Sequence, residues 1–92
     1  MVRRSPWLDE RTSLLVRILA EKHGMQLVDG GFAAMREEVS EHLDFVAERM
    51  RIGRQAAKMY VTNDVIDQMA YRLATEVRQR QVKGRDHLWV VE

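Results

Sequence analysis

The chain has 92 residues, 46% of them apolar, with 15 Lys and Arg against 14 Asp and Glu and no cysteine. That is enough for one small domain (residues 1–92) with a single modest core, and it excludes a disulfide framework or a thiolate zinc site. No apolar run approaches the roughly 20 residues that cross a bilayer. Arg3 and Arg4 are not followed by the apolar segment of a secretory signal, so the expected location is cytoplasmic, without a membrane partner.

Ser5-Pro6 is a good helix entry, with serine as N-cap and proline in the first turn, and Asp9 and Glu10 follow near the positive end of the dipole. Trp7, Leu8, Leu15, Ile18 and Leu19 fall at helical spacing with Leu14 beside them. Lys22 and His23 occupy the last turn and Gly24 can close it, so helix one is expected over residues 6–23. Residues 25–28 are a short apolar run ending in Asp29-Gly30-Gly31, a turn signal. As a brief strand it has one evident partner, the HLWVV run of residues 87–91.

Residues 32–38, FAAMREE, read as a short helix with Phe32, Met35 and Val39 inward. Ser40 can cap a following helix whose inner positions are Leu43, Val46, Ala47 and Met50; whether residues 32–50 form one helix or two is open at this level. The clearest element comes last. Thr62 or Asn63 caps it, Asp64 and Asp67 lie in its first turns, and Ile66, Met69, Ala70, Leu73, Ala74 and Val77 recur at intervals of three and four. It is expected to run to about Val82 and stop before Gly84. The fold class is therefore mostly α: four to five helices, with a two-stranded pairing of residues 25–28 and 87–91 as an allowed addition.

Residues 43–61, LDFVAERMRIGRQAAKMYV, carry the most information. They read as two helices joined by a tight turn. Ala47 is the small residue that lets the helices approach, Ile52 plugs the turn, and Ala57 and Tyr60 form the inner face of the second helix. Through VAERMRIGRQAAKMYV the chain resembles the helix-turn-helix of bacterial DNA-binding proteins. In that family the position four residues after the small alanine is usually glycine, because the turn wants a left-handed backbone there. Here it is Arg51, with glycine two residues later as Gly53. A non-glycine residue in that conformation costs on the order of 1 kcal/mol. Sliding the alignment to place Gly53 there would put Arg49 where the small residue belongs, which is worse.

The resemblance implies insertion of the second helix, residues 54–60, into the major groove of double-stranded DNA. Arg54, Gln55, Lys58 and Met59 would face outward; Gln55 can pair with an adenine edge and Arg54 with a guanine or a phosphate. Arg49 and Arg51 would flank the groove on the backbone, joined by Thr62 or Asn63. Charge agrees with that reading. Residues 1–48 hold six Lys and Arg against nine Asp and Glu, whereas residues 49–85 hold nine basic residues against three acidic ones. Arg72, Arg78 and Arg80 would extend the contact if the last helix lies near the backbone.

Other chemistry is poorly represented. His23, His42 and His87 are far apart in sequence without an i,i+4 pair, so no metal site is expected. Glu37, Glu38 and Glu41 make an acidic patch without a cleft, and there is no phosphate loop or serine nucleophile motif. The expectation is a protein that is not an enzyme, has no cofactor and has no evident small-molecule ligand: a transcriptional regulator or a phage- or plasmid-borne accessory factor. A homodimer is expected from the resemblance and from the limited core, with the first helix or the HLWVV strand as seam. The alternative is an antitoxin-like or adaptor module that holds a partner protein through the acidic helix around residues 37–41 or the basic tail.

Overall fold

The computed structural model describes residues 6–79 and 88–90. Helix α1 (Pro6–His23) buries Leu8, Thr12, Leu15 and Leu19, one residue per turn on one side. Trp7, Leu14 and Ile18 pack half-buried around that stripe. Thr12 was not foreseen as core. It tolerates complete burial because its hydroxyl donates to the Leu8 carbonyl at 2.7 Å, so no polar group is left unpaired. Gly24, at φ 64, turns the chain out of α1 as expected; the proposed Ser5 cap lies outside the described residues.

Strand β1 (Met25–Leu27) pairs antiparallel with β2 (Leu88–Val90), Met25 opposite Val90 and Leu27 opposite Leu88. The pairing falls within the two runs expected to form it. After β1, Gly30 at φ 84 makes the tight turn, closed by the Gly31 N–H donating to the Val28 carbonyl at 2.8 Å.

Helix α2 (Gly31–Met50) is a single continuous helix, which settles the question left open over residues 32–50. Ser40 sits in its middle rather than at a cap. Residues 32–50 contain neither glycine nor proline, and the inward stripe of Met35, Val39 and Leu43 runs on without a break. Two expected inward residues are on the outside instead. Phe32 is 36% exposed because Gly31, one turn before Met35, takes the inward position. Met50 is 43% exposed because the helix ends there and Ile52, in the turn beyond, packs against the core in its place.

Helix α4 (Asn63–Gln79) buries Ile66, Met69, Ala70, Leu73, Ala74 and Val77, the full set read from its periodicity. Of the two candidate caps, Thr62 does the work. Its hydroxyl accepts from the Val65 N–H at 3.4 Å and its carbonyl from the Ile66 N–H at 3.0 Å. The expected end near Val82 lies outside the described residues.

Helices α1 and α4 pack against one another. Arg11 donates to Asn63 Oδ1 at 2.7 Å near their starts, and Lys22 meets Asp67 at 2.8 Å. At the far end Arg78 donates to the His23 carbonyl at 2.8 Å, satisfying one of the carbonyls a helix leaves open at its C-terminus. Helix α2 is fastened to α1 by Arg36 Nε and Asp9 at 2.8 Å. Among the described residues no helix is long and apolar enough to cross a membrane, and no group of three His, Cys, Asp or Glu is placed to hold a metal.

Candidate nucleic-acid interface

The corner after α2 is built by one strained residue. Arg51 adopts φ 57, ψ 47, and among the described residues it alone has positive φ without being glycine. Its N–H donates to the Glu48 carbonyl at 3.3 Å, and the Ile52 N–H reaches back to Ala47 at 2.9 Å. That reciprocal pair closes the helix end and brings Ile52 down onto the core. The left-handed residue therefore stands four places after Ala47, where the resemblance puts it. Gly53 has ordinary extended geometry (φ −73, ψ 163), and a Cβ there would touch nothing within 4 Å. The turn needs its left-handed residue at Arg51, and the glycine of this sequence sits elsewhere.

Helix α3 (Arg54–Ala57) follows, then tightens into a 3-10 turn, Lys58–Tyr60. The segment expected as one outward-facing helix over residues 54–60 is thus half α and half 3-10. Its anchors are Ala57, fully buried, and Val61, 2% exposed. Tyr60, expected inward, is 46% exposed; Val61, one residue on, holds the inward place. Ala56 is exposed, as a helix approaching a groove floor requires.

Six of the seven residues assigned to the interface (Arg49, Arg51, Arg54, Gln55, Met59 and Thr62) are exposed around this corner, and Met59 is 72% exposed. The Thr62 hydroxyl is already engaged as the α4 cap. Arg54 and Lys58 are held by the protein itself. Arg54 pairs with Asp44 of α2 and lies 3.5 Å from the Ser40 hydroxyl, so both terminal nitrogens turn back across the corner. Lys58 is half-buried, with its ammonium 5.4 Å from the centre of the Trp7 ring. Neither contact is strong. An exposed ion pair contributes below about 1 kcal/mol, and a half-buried cation–π contact between about 0.5 and 2 kcal/mol. Both side chains can exchange these partners for phosphate oxygens at small cost.

The basic residues of α4 point to other duties. Arg72 lies 3.5 Å from Glu76 on its own helix, and Arg78 caps α1. Arg80 lies outside the described residues. Arg72 also faces His42 of α2, whose imidazole is held below its ordinary pKa, first by burial and second by the nearby guanidinium. His42 is half-buried beside Phe45, with ring centroids 6.1 Å apart.

Sequence reasoning missed the partners that hold the corner: Asp44 and Ser40 for Arg54, and Trp7 for Lys58. An opposite charge ten residues away across a turn has no periodic signature, and Trp7 meets Lys58 only through tertiary packing. Comparison of the chain with protein-family models, with curated proteins and with solved structures finds no match in any of the three.

Proposed function

We propose that this protein binds double-stranded DNA through the α2–α3 corner, acting as a helix-turn-helix regulator or accessory factor without catalytic chemistry. The observation that carries the reading is the left-handed Arg51 turn. It seats Ile52 and Ala57 inward and leaves Arg49, Arg51, Gln55 and Met59 projecting from one short, exposed segment. Gln55 is the base-reading candidate. Arg49 and Arg51, which have no ion pair among the described residues, are the phosphate contacts, with Arg54 and Lys58 recruited from Asp44 and Trp7 on binding. Only two turns of mixed helix are available, so one copy reads few base pairs. A symmetric dimer on paired half-sites supplies the rest.

The test is selection of duplexes from a random-sequence pool at near-physiological salt. Recovery of a shared site, two-fold related with half-sites about one helical turn apart, supports the reading. No retention even at low salt, where phosphate contacts alone hold DNA, overturns it. A second reading follows from the apolar side chains at the same corner: Met50, Met59 and Tyr60 are all well exposed and equally suit a partner protein. Under that reading, R49A/R51A leaves partner binding intact and M59A weakens it.

A further inference from the structure

A hollow of about 280 Å³ opens between α1 and the start of α4, lined by Glu10, Arg11, Ser13, Leu14, Arg17 and Asn63. Its chemistry is unbalanced. Arg11 gives one terminal nitrogen to Asn63 at 2.7 Å, yet its Nε is closed off from solvent and meets no acceptor. That Nε is out of a ligand's reach, so the contacts the hollow offers come from the guanidinium tips, the Ser13 hydroxyl and the Asn63 amide. Arg17, two turns further along α1, and the Ser13 hydroxyl between them have no hydrogen bond or ion pair among the described residues. Against two guanidinium groups, a hydroxyl and the Asn63 amide stands one carboxylate, Glu10. The set favours a compact anion with several oxygens, since arginine matches phosphate oxygens in pairs.

Its position names the anion's source. Asn63 is two residues beyond Val61, the anchor of the α3 segment, and Arg11 lies one helical turn from Trp7, on which Lys58 rests. Lys58, Arg11 and Arg17 therefore follow one another along α1 over roughly 15 Å, at 1.5 Å per residue from Trp7 to Arg17. We propose that this hollow holds a backbone phosphate of the same duplex the corner reads, a second anchoring point contributed by α1; the inference rests on the DNA-binding reading. It fixes register and adds affinity without sequence preference.

The experiment compares duplex binding of the full-length protein and of R17A over a range of salt, on both a selected and a random duplex, with melting followed by circular dichroism to confirm folding. Arg17 is exposed, so the fold is expected to stand. R17A should weaken both duplexes by a similar several-fold factor and reduce the slope of log affinity against log salt by about one. S13E, which places a carboxylate in the hollow, should weaken binding more. If R17A and S13E match the parent while R51A loses affinity, the hollow takes no part and this proposal alone fails. If the parent binds no duplex, both readings fail together. Inorganic phosphate raising the melting temperature of the parent but not of R17A, with duplex binding unaffected by R17A, assigns the hollow to a free anion and overturns the backbone assignment.

Discussion

Helix α4 and the α3 segment adjoin in the chain and are built on opposite terms. In α4, six side chains at three- and four-residue intervals are buried, and that stripe seats the helix on the core. In α3 and its 3-10 turn, Ala57 is the one buried residue; the rest is positioned by the Arg51 turn before it and by Val61 after it. The first region is secured by the area it removes from water. The second is secured at its ends, and apart from Lys58 on Trp7 its outer side chains carry no packing role.

The largest expected effects test the first half of that contrast. Leu73→Ala, at a fully buried position, should cost about 2–5 kcal/mol in urea denaturation, whereas Tyr60→Ala should stay within about 0.5 kcal/mol of the parent. Equal losses for the two would mean the α3 segment is packed after all. Ala57→Leu should destabilise by about 1–3 kcal/mol, since there is no room beneath the segment, and should also disturb whatever the corner binds. An unchanged unfolding midpoint would show that the corner stands further off the core.

A finer test concerns the strained residue. Arg51→Gly should raise stability by up to about 1 kcal/mol by removing the Cβ penalty of the left-handed conformation, while lowering duplex affinity through loss of a charge. A variant that becomes less stable would show that the arginine side chain itself holds the turn. The smallest expected effect comes from His42. Its folded pKa lies below the ordinary value, so the unfolded chain takes up the proton first. Its contribution is complete above about pH 6.5 and is lost as pH falls toward its folded pKa. H42Q should therefore show a flatter stability profile than the parent between pH 7.5 and 5.5, and parallel profiles would place His42 in solvent.

The same contrast explains what the residues disclosed in advance. Both long outer helices and all six inner positions of α4 follow from spacing, because a buried stripe repeats and repetition is readable. The left-handed place in the turn came from the helix-turn-helix resemblance, which sets it four residues after Ala47. Phe32, Met50 and Tyr60 were misjudged because each sits at the end of a periodic run. There a neighbour (Gly31, Ile52 and Val61 respectively) occupies the inward position, and the period gives no warning of that. Whether α2 divides at Ser40 stayed open for a related reason: serine caps helices and also sits quietly inside them when the stripe around it continues. The pairing of Arg54 with Asp44 and of Lys58 with Trp7 depends on how the helices meet, which spacing does not encode.

The short sheet bears on how the molecule assembles. Met25 pairs with Val90, so β1 has no partner until a strand from a remote part of the sequence reaches it. Helices α1 and α2 can coil from local contacts, but the seam between α1 and α4 and the β1–β2 pairing both join segments far apart in sequence. Assembly of the sheet is accordingly a non-local event, and the slowest step of folding should be the one that brings these distant segments together.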